Sequence, residues 1–280
     1  MPDFIAQHEP AFRLAAFAGV LALMVALETL FPRREAKGQA HRRATNLALG
    51  IIGAGVLRLA VPLLATGVAL AAERHGFGLF HWLGAPYALA FLLSLLALDL
   101  LVYGQHVLFH KSGLFWRMHR VHHADAHVDA TTGIRFHPLE ILVSMGIKMA
   151  AVAALGAPVV AVILFEVLLN AAAIFNHSNL RLGERTDRLL RRFIVTPDMH
   201  RVHHSVYSDE HHSNFGFSLS LWDRLFRTYR AAPRDGHIAM RIGLVDYAAP
   251  APNGLFWSLV NPFIGHSAKT PTSIKGAGSM

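Results

Sequence analysis

The sequence predicts an all-α integral membrane protein, with about four to five membrane-embedded helices and a cytoplasmic, helical, histidine-rich cap. Three observations predict it. Hydrophobic residues make up 53% of the chain and charged ones 16%, with a mean hydropathy of +0.37, a composition that favours a membrane chain over a soluble one. Five apolar segments stand against the roughly 20 residues needed to cross a hydrocarbon core. Histidine is abundant at 19 copies, many of them in short strings near the ends of those segments, while cysteine is absent. Disulfides, thiolate ligands and cysteine nucleophiles are therefore excluded.

The first apolar segment covers about 11–31. Acidic Asp3 and Glu9 precede it and no small-residue cleavage site follows, so it reads as an anchor rather than a cleaved leader. The second is a continuous run over about 47–72, and the third runs from about 86 into His110. The fourth and fifth, about 139–155 and 158–175, are split by Gly156-Ala157-Pro158, a breaker-rich turn that predicts a hairpin.

Orientation follows from the basic residues. Arg33, Arg34, Lys37, Arg42 and Arg43 follow the first segment, whereas only Arg74 follows the second, so the former loop is placed in the cytoplasm. Parity then brings every histidine cluster to that same face. The net charge of +8 and pI near 10.3 are explained by such membrane-flanking loops, and no nucleic-acid partner is expected.

Four ionisable residues lie inside the apolar runs: Arg58, Asp99, Lys148 and Glu166. Each costs about 2.5–3.5 kcal/mol at mid-bilayer unless paired. Lys148 and Glu166 are equidistant from Ala157, so the hairpin predicts that they pair. Further on, 221–230 puts Trp222, Leu225, Phe226 and Tyr229 on one stripe and arginines on another, predicting an interfacial amphipathic helix. The stretch 248–280 is rich in Pro, Gly and Ser and reads as loop and tail.

The chemistry lies in HVLFH at 106–110 and in HRVHH at 119–123 and again at 200–204. MHRVHH is repeated at 118–123 and 199–204, but the flanks do not align, so one local geometry is specified twice. Residues i, i+3 and i+4 share a helix face. His106 and His110 point together, as do His119, His122 and His123, and His200, His203 and His204. Adding His177 gives nine candidate metal ligands at one membrane face. Two ions of coordination five or six would use them, one four-coordinate zinc would not, and imidazole alone does not choose among iron, zinc, copper and nickel.

Metal-bound histidine commonly passes its second N–H to a carboxylate or carbonyl. Asp99, Asn170 and Glu166 share stripes with the ligands and are candidates for that outer role, as are Glu140 and His137. Asp99 has a rival role as an ion-pair partner of Arg58. His137 is expected to orient its loop rather than bind metal. His127, His211 and His212 are spare or outer groups, and His8, His41, His75, His81, His237 and His266 are surface or interfacial residues.

These boxes, in this order, resemble the fatty acid hydroxylase/sterol desaturase superfamily of membrane di-iron oxygenases. RFHPLE at 135–140, NHSN at 176–179, TPDMHRVHHS at 196–205 and NFGFSLSLWDRLFRTY at 214–229 fit as well, so the resemblance covers about 99–229. It implies a membrane enzyme with two iron ions (zinc as a substitute) that activates dioxygen to hydroxylate or desaturate a fatty acyl or sterol-like lipid. Some hydroxylases of this superfamily carry an additional histidine where Ala173 stands. No haem electron-donor domain is fused in the sequence, so a separate electron-donor protein is expected. The implied organisation is N-terminal membrane helices over 1–85, the oxygenase core over 86–230 and a C-terminal loop and tail over 231–280.

Two other classes compete. A membrane zinc-dependent hydrolase would need a carboxylate base beside its ligands, and none of the three boxes contains one. A metal-binding or transport protein would place ligands at the bilayer midplane, whereas these strings lie at the inner ends of the spans.

Overall fold

The computed structural model describes residues 2–36, 38–245, 247 and 254–264, and among them the chain is helical with only isolated β-bridges. In order, the helices are α1 Pro2–Leu30, α2 Ala40–Ala60, α3 Leu64–His75, α4 Leu79–Trp82, α5 Tyr87–Lys111 and α6 Gly113–His123. There follow α7 Pro138–Leu155, α8 Val159–His177, α9 Glu184–Leu190, α10 Pro197–His203, α11 Ser208–His211, α12 Leu221–Leu225, α13 Gly236–Ala239 and α14 Leu255–Val260.

Among the described residues, five stretches are long and apolar enough to cross a membrane: Glu9–Leu30, Ala40–Trp82, Tyr87–Lys111, Pro138–Leu155 and Val159–His177. The chain is an integral membrane protein. The second stretch differs from the continuous run the sequence suggests. Val61 leaves the helical region ahead of Pro62, which supplies no N–H, so α2 stops at Ala60 and α3 resumes at Leu64.

The bundle core is formed by Ala65 and Ala69 of α3, Leu98 of α5, Met145 and Val152 of α7, and Val162 and Phe165 of α8. Alanines at that interface let backbones approach closely, the arrangement that serves helix packing in lipid. Leu92, Leu93, Leu96 and Leu100 of α5 stay exposed on the outer face, as lipid contact requires.

The α7–α8 hairpin sets Lys148 Nζ 2.7 Å from Glu166 Oε1, the predicted pair. Arg13 of α1 adds a partner that the hairpin argument did not supply, with Nη1 2.7 Å from Glu166 Oε2 and 2.5 Å from Glu9.

Two C-terminal expectations change. Leu221–Arg230 is not one amphipathic helix: α12 ends at Leu225, and Arg227 takes a φ of 61°. Trp222 and Asp223 turn inward instead of lying on a membrane surface. Within 248–280, residues 254–264 form α14 and a following 3-10 turn that docks on the cap, while most of that stretch, His266 included, lies outside the described residues.

Candidate metal centre

The three histidine strings lie on α5, α6 and α10, and their ends meet at one end of the bundle together with the end of α8. Each string is locally set. Thr196 caps α10 by accepting from Met199 N, and Pro197 occupies its first turn, where a missing N–H costs nothing. His137 caps α7: its Nδ1 accepts from Leu139 N at 3.2 Å and its Nε2 donates to Leu259 O at 3.1 Å. His137 thus orients the chain ahead of α7, away from the clustered imidazoles.

The nine candidate ligands fall into two buried groups. His106, His110, His119, His123 and His203 form one; His122, His177, His200 and His204 form the other. Within each group one nitrogen from every ring lies within 4.8 Å of the rest. The repeated hexapeptide is explained by how it divides. The first copy gives its i, i+4 pair, His119 and His123, to the five-histidine group and His122 to the four-histidine group. The second copy does the reverse, giving His200 and His204 to the four and His203 to the five.

The remaining letters of the repeat anchor the opposite helix face. Arg120 donates to Asn261 Oδ1 at 2.8 Å and Ile264 O at 2.9 Å, and Arg201 pairs with Asp198 and reaches Ser178 O at 3.2 Å. Val121 and Val202 are fully buried.

Ring positions define a shape. In the five-histidine group every pair of ring centroids stands 4.5–5.1 Å apart except His106–His123 and His119–His203, which are out of ring contact. His110 touches all four others. That is a square pyramid with His110 at the apex and the two distant pairs as diagonals of the base. In the four-histidine group the pairs stand 4.4–5.2 Å apart except His122–His200. His122 and His200 are therefore opposite, with His177 and His204 adjacent between them. The base of the pyramid faces the second group, with His123 and His204 4.5 Å apart, while His110 contacts none of the four.

The outer nitrogens fix the inner ones. Backbone carbonyls can only accept, so each ring nitrogen on one is a donor. His106 Nδ1 donates to Phe215 O, His177 Nδ1 to Ala173 O and His203 Nδ1 to Ser213 O, each at 2.7 Å; His122 Nδ1 donates to Arg135 O at 3.3 Å. The Nε2 atoms of these rings are consequently bare lone pairs. Yet His122 Nε2 and His177 Nε2 lie 3.0 Å apart, where two lone pairs repel. A cation between them removes the conflict. Two nitrogens about 2.1 Å from one ion at a right angle are about 3.0 Å apart. Elsewhere in the groups, His106 Nε2, His203 Nε2 and both nitrogens of His110 and His204 are buried without a hydrogen-bond partner. The residues present fit bound metal.

Electrostatics agree. His119, His122, His123, His200, His203 and His204 are held well below the usual histidine value, first by burial and then by their neighbouring imidazoles. Each keeps a neutral ring, the form that binds metal, far into the acid range.

The proposed outer residues divide. Glu140 Oε1 stands 2.7 Å from His119 Nδ1. Asp99, Glu166 and Asn170 stand elsewhere and are corrected. Asp99 accepts from Trp222 Nε1 at 2.8 Å and Leu219 N at 3.3 Å, so it contacts neither a clustered histidine nor Arg58. Glu166 is taken by Lys148 and Arg13, and Asn170 lines a small cleft between α1 and α8 beside Arg13. A shared helical stripe does not ensure shared depth: Asp99 and Glu166 lie about two and about three turns from the nearest ligand on their own helices.

Sequence reasoning missed the actual scaffold. Asp223 accepts from Phe215 N and Gly216 N at 2.8 Å each, which fixes the turn whose Phe215 carbonyl holds His106. A Cβ on Gly216 would meet Asp223 Oδ2 at 2.6 Å, so the turn needs glycine there. Asn214, at a φ of 51°, ties that turn to Met199 O at 2.8 Å. Behind His122, Arg135 donates to Val121 O at 2.9 Å and to Asn46 Oδ1 at 2.8 Å. Asn46 and Arg42 in turn hold Asp125, with Arg42 also on Asp129. The signal that was available is the polar string NFGF…WD inside an apolar chain.

Residues 91–228 match the family described as fatty acid hydroxylase. Over 178 residues the chain is 29% identical to ornithine lipid hydroxylase OlsE of Rhizobium tropici, covering 64% of this chain and 51% of that protein. It is 26% identical over 236 residues to alkylglycerol monooxygenase of Danio rerio, covering 82% of this chain and 48% of the relative. With alkylglycerol monooxygenase of Xenopus tropicalis it shares 26% over 200 residues, covering 69% of this chain and 42% of the relative. The chain thus spans about half the length of the curated relatives it matches. No solved structure matches it. The matched segment 91–228 contains all nine clustered histidines, and the chain belongs to the fatty acid hydroxylase/sterol desaturase superfamily.

Proposed function

We propose that this protein is a membrane-bound non-haem di-iron hydroxylase that inserts one oxygen atom of dioxygen into a C–H bond of a lipid chain. The observation that carries this reading is the pair of facing histidine groups, five and four, with the bare Nε2 atoms of His122 and His177 converging. Bound iron supplies the oxygen activation that no side chain can provide. The balance is one lipid C–H, one dioxygen, two electrons and two protons giving one alcohol and one water.

The chain's own residues have three tasks. The nine histidines would hold two ions, and the carbonyls of Phe215, Ser213, Arg135 and Ala173 fix which nitrogen His106, His203, His122 and His177 present. Burial of every ring excludes water from the reacting region. The spans bring the lipid chain to the same end of the bundle as the metals. Relatives named for an ornithine lipid and for alkylglycerols support a lipid substrate and favour hydroxylation over desaturation. The Lys/Arg excess between α1 and α2 supports a cytoplasmic centre, where a separate electron-donor protein has access. A zinc hydrolase fits less well: Glu140, the carboxylate beside the groups, faces the outer nitrogen of His119.

The test is comparative lipid mass analysis of cells expressing wild type or His203→Ala. A lipid gaining one oxygen only with wild type supports hydroxylation, and loss of two hydrogens points to desaturation instead. No lipid difference under aerobic, iron-replete conditions sinks the proposal.

A further inference from the structure

A tenth imidazole stands at the centre without a role. His211, on α11, is 2% exposed, and its two ring nitrogens are buried with no well-formed hydrogen bond, the His203 backbone being the polar group nearest to hand. Buried polar atoms are nearly always paired, so two orphans on one ring call for a specific cause. The ring centroid lies 4.4 Å from His123 and 4.7 Å from His110, distances as short as those within the metal groups. It makes no ring contact with His106 or His119. His211 therefore sits outside the pyramid, over the face made by the apex and the base rings of His123 and His203, the last stacked at 5.8 Å, and does not occupy the side facing the second group.

The five-histidine group has a gap in its outer supports at that place. His106, His119 and His203 each have a named group on Nδ1: Phe215 O, Glu140 and Ser213 O. His123 does not. Its Nε2 points at His119 Nε2, 3.2 Å away, and so faces the group, while its Nδ1 is buried and unpartnered. His212 is not available for that task, because its Nδ1 is engaged with Ser208 O at 2.8 Å.

We propose that His211 is the positioning residue for His123, accepting a hydrogen bond from His123 Nδ1–H and thereby holding Nε2 toward the ion. The bond would need a turn of His211 about χ2, which is a broad torsion. An outer imidazole replaces here the carbonyl or carboxylate that serves the other rings. The inference rests on reading the two groups as a metal pair.

The test uses the full chain in detergent, loaded with ferrous iron and titrated anaerobically with a chelator. Wild type should release two equivalents in two steps. In His211→Leu, one equivalent should bind about 10–100-fold more weakly, the usual cost of losing an outer partner, while the other is unchanged. His211→Gln keeps an acceptor and should recover most of the difference. Identical release by wild type and His211→Leu overturns the proposal, and so does an equal loss in the Leu and Gln variants, which marks a packing role. Wild type that holds no metal overturns the reading of the whole centre, a separate and distinguishable failure.

Discussion

The five-histidine and four-histidine groups draw on the same two hexapeptides, yet they are built to different degrees of completion. The five rings of His106, His110, His119, His123 and His203 surround their centre more fully than the four of His122, His177, His200 and His204 surround theirs. The difference teaches where a small ligand would find room if both groups held metal: between the two groups, nearer to the four. It also explains the repeat, because reciprocal sharing of one i, i+3, i+4 pattern places the two histidine groups side by side.

The comparison can be broken most forcefully by removing one ring from the less complete group. His204→Ala leaves three imidazoles there, and we expect loss of that iron and of lipid oxygenation. The effect should exceed the ~10–100-fold typical of outer-partner loss, read by metal content and product mass. His110→Ala leaves four rings in its group and should retain more iron than His204→Ala. The reverse order contradicts the assignment.

Next in size is Arg42→Leu. It leaves buried Asp125 without its arginine and buried Asp129 with Arg43 alone, and should cost about 3–5 kcal/mol, measured by thermal unfolding. Because this network stands behind Arg135 and His122, the four-histidine group should lose metal first. Glu140→Leu acts on the other side. It removes the group on His119 Nδ1 and should weaken only the five-histidine group, by about 10–100-fold in chelator titration, with Glu140→Gln in between.

The smallest test is pH. His119, His122, His123, His200, His203 and His204 are depressed below the ordinary value near 6.5, and His211 to about 3, in each case first by burial. Unfolded, these rings take up protons near 6.5 that the folded chain refuses. Stability of the metal-free protein should therefore hold above that value and fall progressively as pH drops below it. A melting temperature unchanged between pH 7.5 and 5 contradicts the burial of neutral rings.

How much of this the sequence revealed follows from the range of each interaction. The ligand strings were legible because a helix turns i, i+3 and i+4 to one side, and Lys148–Glu166 because a hairpin is symmetric about its turn. The partner of Asp99 was not, since Trp222 lies far along the chain and reaches it only through tertiary packing. The arginines of the repeat were opaque for the same reason: Arg120 is satisfied by Asn261, beyond every motif. Apolar periodicity could not distinguish an interfacial helix from the short, inward-turned α12, because a tryptophan and an aspartate that pack inside read as amphipathic in both.

The central claim is that two ions share nine imidazoles unequally. Mössbauer spectroscopy of the purified chain loaded with iron-57 tests it most directly. The account predicts two irons per chain in two distinct quadrupole doublets of equal area, one for each group. A single iron, or two irons in one indistinguishable doublet, would contradict it.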